Sequence, residues 1–227
     1  MTTRGKNYRK ARANVDASRR YGLEEAVTLA VESAYAKFDE TVELSIKLGI
    51  DPKQTNQSIR GSYSLPHGIG KTMKVIVFAD GEAAKQAKES GALEVGGEDL
   101  AKKILDGWLD FDVAIAHPGM MRHVGKLGRV LGPHGKMPSP KSGTVTDEIG
   151  RVVKEFVAGK IEFRNDDTGN LHVVMGKKSF PPEKLVGNIV AFVDFVRTLK
   201  PPSSKGVFLQ KAILCTTMSP GIPVTVG

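Results

Sequence analysis

A single cysteine in 227 residues, Cys215, leaves no internal disulfide framework and no cysteine-based zinc site. It sits in an apolar, strand-like run and is expected to be a small buried residue. Long hydrophobic runs are missing as well. The longest are strand-sized pieces such as Val75–Ala79, far short of the ~20 apolar residues that span a membrane. The start, Met1-Thr-Thr-Arg-Gly-Lys-Asn-Tyr-Arg-Lys10, is basic but leads into no apolar core, so it does not read as a secretory signal. A soluble cytoplasmic protein is expected.

Enzyme signatures are absent in turn. Gly68-Ile-Gly-Lys-Thr72 imitates the end of a phosphate-binding P-loop, but position 65 is Leu where that loop needs Gly. Gly135-Lys136 fails twice, with Val at 130 and Met at 137. The histidines at 67, 117, 123, 134 and 172 include no i,i+4 pair around a Glu, so the common zinc signature is lacking. No Gly-x-Ser-x-Gly elbow exists, and no base is implied for Cys215. No catalytic residue, metal site or cofactor is expected.

Acidic residues are missing from a whole stretch. None lies between Asp112 and Asp147, whereas Arg122, Lys126, Arg129, Lys136 and Lys141 fall there, among glycines 125, 128, 132, 135 and 143 and prolines 133, 138 and 140. Bare N–H groups and fixed positive charge suit a polyanion. A basic loop whose glycines merely serve tight turns accounts for the same residues. The chain as a whole carries +8. Residues 68–159 hold 13 Lys/Arg against 12 Asp/Glu, so 20 against 13 remain in 1–67 and 160–227. If the two chain ends form one body, that body holds nearly all the excess charge and should meet a polyanion.

The periodicity supports such a division. Within 68–159, apolar runs (Lys74–Ala79, Leu93–Val95, Asp112–Ala116) alternate with helical stretches (Glu82–Ala92, Asp99–Trp108, Met120–Leu131, Glu148–Val157). That order predicts a parallel sheet covered on both faces. The flanks differ. Leu23–Lys37 reads as an amphipathic helix, and Thr41–Leu48 alternates as a half-exposed strand. Residues 161–174 read as a hairpin around Asp167-Thr-Gly169, Pro181–Leu199 as a helix, and Val207–Thr217 as a last strand. The fold class expected is α/β with two domains. One is an α+β split domain of 1–67 and 160–227; the other is an inserted three-layer, Rossmann-like domain of 68–159. A two-strand hinge would join them at Gly68, Gly70 and Gly159.

The motif G-x-L-G-R-x-L-G-P-x-G-x-M-P-x-P-K-x-G-T-V over 125–145 resembles the signature of the universal ribosomal protein L-one family, found on the mobile stalk of the large ribosomal subunit. Lys37–Glu43, Leu48–Pro52, Arg60-Gly61, Leu65–Gly68, Phe111–Ala116, Gly159–Asp166, Gly176-Lys177, Ala191-Phe192, Lys205-Gly206 and Thr216-Thr217-Met218 follow in the family's order. The resemblance covers roughly residues 7–221. It implies a structural rRNA-binding protein, monomeric when free and ribosome-associated. Its partners would be stalk rRNA, exit-site tRNA whose release it assists, and its own operon mRNA, which it represses. Carried over residue by residue, the RNA-binding set is Lys37, Phe38, Thr41, Glu43 and Lys47, then Arg164, Asn165, Asp166, His172 and Lys177, then Thr216, Thr217 and Met218. From the residues alone, Phe38 could equally anchor the preceding helix, and others could be solvated strand-face groups. Ser219 stands where the family has glycine, which crowds any close approach of RNA there. The competing reading is an α/β enzyme acting on a phosphorylated small molecule.

Overall fold

The structure is a computed structural model that describes residues 5–54 and 56–225. Met1–Arg4 of the basic start lie outside the described residues. Two compact units result, one of the residues up to Gly70 with Phe163 onward, the other of Lys71–Glu162. The fold is two-domain α/β. The second unit holds 14 Lys/Arg against 13 Asp/Glu, leaving 19 against 12 for the first.

The first unit begins with α1 (Lys6–Ala13), α2 (Leu23–Ser33), β1 (Thr41–Leu48) and β2 (Arg60–Ser64). The chain then passes through β3 (Val75–Phe78), α3 (Gly81–Glu89), β4 (Glu94–Gly96), α4 (Glu98–Leu105) and β5 (Val113–Ala116). Three helices follow, α5 (Met121–Gly125), α6 (Gly128–Leu131) and α7 (Ile149–Val157). The return is β6 (Lys160–Arg164), β7 (Asn170–Lys177), α8 (Pro182–Thr198), β8 (Leu209–Thr216) and β9 (Ile222–Val224).

In the second unit β4, β3 and β5 form a parallel sheet in that spatial order. β3 and β5 are buried throughout, as strands covered on both faces must be. Val75, Val77, Val113 and Ile115 pack with Ala87 of α3 and with Ile149, Val153 and Phe156 of α7. Ile76, Phe78, Ala114 and Ala116 face the other way, onto Leu100 and Ile104 of α4 and onto Val124, Leu127 and Leu131. The helix expected over Met120–Leu131 is broken. Gly125 and Gly128, poor helix formers, flank a tight step where Lys126 and Leu127 donate to His123 and Val124, three residues back.

In the first unit the sheet order is β7-β1-β8-β9, with the three long strands antiparallel. Val42, Leu44, Ile46 and Leu48 are buried on one face of β1 and alternate with half-buried residues on the other. The buried face, with Leu171, Val173, Ala212 and Leu214, is covered by α2 and α8. These bring Ala26, Val27 and Ala30 and Leu185, Ile189, Phe192 and Val196.

Three further expectations are corrected. α2 stops at Ser33, not Lys37, because the Ala36 N–H is taken by the Glu40 carboxylate at 2.7 Å and the chain leaves the helical path after Ala34. Residues 161–174 are not a two-stranded hairpin. Beyond the Asn165–Leu171 bridge, β6 joins β2 while β7 joins β1. Cys215, expected buried, is half-exposed on the outer sheet face opposite Glu43. Burial, with the Glu43 charge, pushes its thiol up, so it is no ready nucleophile.

Candidate nucleic-acid interface

Strand register sorts the expected residues. Directly opposed residues of antiparallel strands share a face, so Glu43 lies with Val174 and Cys215, Ser45 with His172 and Ile213, and Lys47 with Asn170 and Lys211. Thr41 lies opposite Lys177 on that same outer face. A bulge between Val42 and Glu43 makes this possible, because it turns both Met175 and Gly176 inward and Lys177 outward. Only glycine serves at 176. Its φ is 153°, and a Cβ there would meet Leu185 at 2.8 Å.

At one end of the face, Lys177 Nζ donates to Thr41 Oγ1 at 2.8 Å, and the Thr41 N–H donates to Thr217 Oγ1 at 3.0 Å. Phe38 and Met218 are 55% and 46% exposed, far more than apolar side chains held in a core. Lys37 is exposed beside Phe38 and has no ion pair among the described residues. Phe38 therefore does not anchor α2.

At the other end, Ser45 Oγ and His172 Nδ1 lie 3.0 Å apart, His172 Nε2 is 3.5 Å from Asp166, and Lys47 donates to the Thr168 carbonyl. Asp166 accepts from the N–H groups of Asn170 and Thr168, and these bonds hold its carboxyl well below the usual carboxylate range. Six residue steps along β1 separate Thr41 from Lys47, about 20 Å of strand. That length suits a folded RNA better than a small ligand.

Several expected contacts are placed elsewhere. Thr216 is 2% exposed, and its hydroxyl donates to Glu40 at 2.5 Å. Asn165 is buried, with its side-chain oxygen accepting from the Ile59 N–H and the Ser58 hydroxyl. Both shape the unit's interior, whereas half-exposed Asp166 orders the turn beside His172. Arg164 is exposed at the end of β6. The Ser219 hydroxyl turns back to accept the Thr216 N–H at 2.9 Å.

Sequence reasoning missed Glu40, which is fully buried. Burial alone would raise its carboxyl, but bonds from the Thr216 hydroxyl and from the Ala36 and Met218 N–H groups outweigh it and lower the pKa. One carboxylate thus ties the segment before Phe38 to the turn bearing Met218. Two other residues were missed, Asn188 and Lys211, the latter on the outer face with no ion pair among the described residues. Asn188 is fully buried and binds the His67 N–H and the Gly68 and Met175 carbonyls. No short motif announces any of them.

The second unit offers less. Lys136 of the glycine-rich segment donates to the Leu109 and Phe111 carbonyls at 3.0 and 2.6 Å and lies over the Phe111 ring, so it locks the fold. The connection from β3 to α3 is Ala79-Asp80, with a carboxylate where a phosphate-binding loop would present bare N–H groups.

The ribosomal protein L1p/L10e family matches residues 30–220. The large ribosomal subunit protein uL1 of Thermus thermophilus is 51% identical over 99% of this chain and 98% of its own length. That of Beutenbergia cavernae is 53% identical over 99% and 94%, and that of Solidesulfovibrio magneticus 50% over 99% and 95%. The chain belongs to the ribosomal protein L1p/L10e family. As a member of this ribosomal family it is not an enzyme, in keeping with the carboxylate at the β3–α3 connection. The family match spans the whole excursion through the second unit and ends just past Met218 and Ser219. No helix among the described residues is long and apolar enough to cross a membrane.

Proposed function

We propose that the chain is a structural protein of the large ribosomal subunit that grips stalk rRNA with the outer sheet face of its first unit. The observation that carries this is the cluster at one end of that face. There a cation (Lys177), two hydroxyls (Thr41, Thr217) and two exposed apolar side chains (Phe38, Met218) come together from three chain segments. Cations take phosphate, hydroxyls take 2′-OH groups and base edges, and the apolar pair stacks on unpaired bases. Relatives about half identical over nearly the full chain bear the name of a large-subunit protein, which supports the same partner. The net charge of +7 in the first unit, against +1 in the second, favours the first as the polyanion-binding body.

On this reading the free protein is a monomer that works in the cytoplasm on the ribosome. Near the two chain crossings lie Gly68 and Gly70 (φ 64° and 71°) and, three residues inside the second unit, Gly159 (φ 107°), and these glycines are the proposed hinge between the units. Assistance to deacylated tRNA at the exit site, and repression of its own operon mRNA through the same face, belong to the proposal. An mRNA segment imitating the rRNA site would compete for the same residues.

The test is filter binding of a stalk rRNA transcript to the whole chain and to a shortened chain in which residues 1–70 run through a short linker into 163–227. The shortened chain is expected to bind within threefold of the whole one, and affinity should fall steeply with salt as counterions are released. A tenfold loss, about 1.4 kcal/mol, would move an essential contact to the second unit. Affinity unchanged between low and physiological salt would end the electrostatic part of the account.

A further inference from the structure

Next to Thr217 and Met218 the first unit has an open groove of about 650 Å³, within the range of small-ligand sites. Its walls include Lys6 and Tyr8 of α1, Tyr35 just after α2, and Thr217, Met218 and Ser219. None of Lys6, Tyr8 or Tyr35 belongs to the RNA-binding set carried by the family motif. The groove is continuous with the proposed interface, because Thr217 and Met218 line both.

Its chemistry is specific. The sequence of α1 is Lys-Asn-Tyr-Arg-Lys-Ala-Arg-Ala, with Lys6, Arg9, Lys10 and Arg12 and no acidic residue. All four cations are exposed, and none has an ion pair among the described residues. Lys10 and Arg12 suit the C-terminal end of the helix dipole, but the four like charges together repel one another until a polyanion arrives. Tyr35 is half-buried, and its hydroxyl bonds to no protein group among the described residues. Aromatic bodies beside fixed cations are what unstacked bases and their phosphates need, since every base has a π-face.

The geometry points to this groove as the seat of one unstacked nucleotide of the bound RNA. Its base lies against the tyrosines and Met218, and its flanking phosphates lie on the cations of α1. This rests on the RNA-binding reading above and extends it to a segment that reading does not use. Bulged and looped nucleotides are the ones a protein can splay out in this way, so the partner RNA should have one extruded base beside the Thr217–Met218 contact.

The experiment uses the full chain and a transcript of the chain's own large-subunit stalk rRNA. Filter binding across a salt series is paired with chemical probing of base reactivity, for wild type, Lys6→Gln and Tyr35→Leu. Tyr35→Leu is expected to weaken binding about tenfold and to raise the reactivity of a single nucleotide that wild type protects. Lys6→Gln is expected to weaken binding severalfold and to lower the slope of log affinity against log salt by about 0.7–0.9, one phosphate contact. Should Tyr35→Leu lower the melting temperature, Lys6→Gln decides alone, because Lys6 is exposed. Wild-type affinity and slope in the variants overturn the groove and leave the RNA-binding reading standing. So does a loss with no single nucleotide becoming reactive, which would make α1 a nonspecific basic arm. A wild-type chain that does not bind the transcript overturns both.

Discussion

Replacing Glu40 by Gln should uncouple the proposed RNA face from its support, and the structure sets the size of the effect. Oε2 accepts from the Thr216 hydroxyl at 2.5 Å and the Met218 N–H at 3.1 Å, while Oε1 accepts from the Ala36 N–H at 2.7 Å. An amide supplies only one oxygen. Whichever way Gln is placed, its NH₂ faces an N–H donor, so either the Ala36 or the Met218 N–H is left without its acceptor. An unsatisfied donor costs about 1–3 kcal/mol, and the surviving bonds lose their charge assistance, so ~2–4 kcal/mol is expected. The chain has a built-in control. Its only tryptophan, Trp108, lies in the second unit, so tryptophan fluorescence follows that unit and far-UV circular dichroism follows both. In urea, Glu40→Gln should shift the circular-dichroism transition to lower denaturant and leave the fluorescence transition in place. RNA affinity should fall even where the protein is fully folded, because Phe38 and Met218 lose their common anchor. A wild-type unfolding profile, or a loss of stability with unaltered RNA affinity in folded protein, would refute the reasoning.

Other perturbations test other parts. Thr217→Val removes the acceptor of the exposed Thr41 N–H, which water can replace. Stability should therefore fall by only ~0.5–1.5 kcal/mol while RNA affinity drops clearly; unchanged affinity would take Thr217 off the binding face. Lys136→Met removes two charge-assisted bonds to the Leu109 and Phe111 carbonyls, so the fluorescence transition of Trp108, whose ring lies 5.6 Å from Phe111, should move by about 2–4 kcal/mol. A polyanion-binding role for Lys136 would instead leave that transition fixed and weaken RNA binding. Glu40 and Asp166 both have lowered native pKa values against ordinary values of 4.5 and 3.8. Their contribution is complete at neutral pH and is lost as pH falls below those ordinary values through the native ones. Asp166→Asn should flatten the acid limb of a melting-temperature profile between about pH 5 and 2, and an unchanged limb would remove Asp166 from the account.

What the sequence makes legible is what local periodicity controls. The alternation of Thr41–Leu48 matches β1 residue for residue, and the apolar runs near 75, 94 and 113 are the three parallel strands. The failures are non-local. The signal at Asp167-Thr-Gly169 does make a turn, but whether the flanking strands pair with each other depends on β1 and β2, roughly a hundred residues away or more. α2 ends early because a carboxylate beyond the helix, itself held by Thr216, takes the Ala36 N–H. Thr216 and Thr217 are equivalent by residue type, yet one step along a strand reverses the face. The first is buried on Glu40 and the second is exposed.

The segment that most clearly carries the family resemblance is not the one best suited to bind. In 122–145, Val124, Leu127 and Leu131 fill one half of the second unit's core, Ser142 and Thr144 are buried, and Lys136 closes on backbone carbonyls. A motif of glycines, prolines and an inward-turned lysine is strongly specified because each position answers to a tight backbone or packing demand. A recognition face obeys looser demands. Thr, Ser, Glu and Lys on the open side of β1 would satisfy any solvated strand, and nothing in their spacing marks them. They become a candidate surface only when register sets Lys177 beside Thr41, and when Glu40 draws together two loops that leave Phe38 and Met218 in the open. A lone Phe38 reads as a helix anchor. The same residue, on the segment that Glu40 ties to Met218, is part of the surface proposed for unpaired bases.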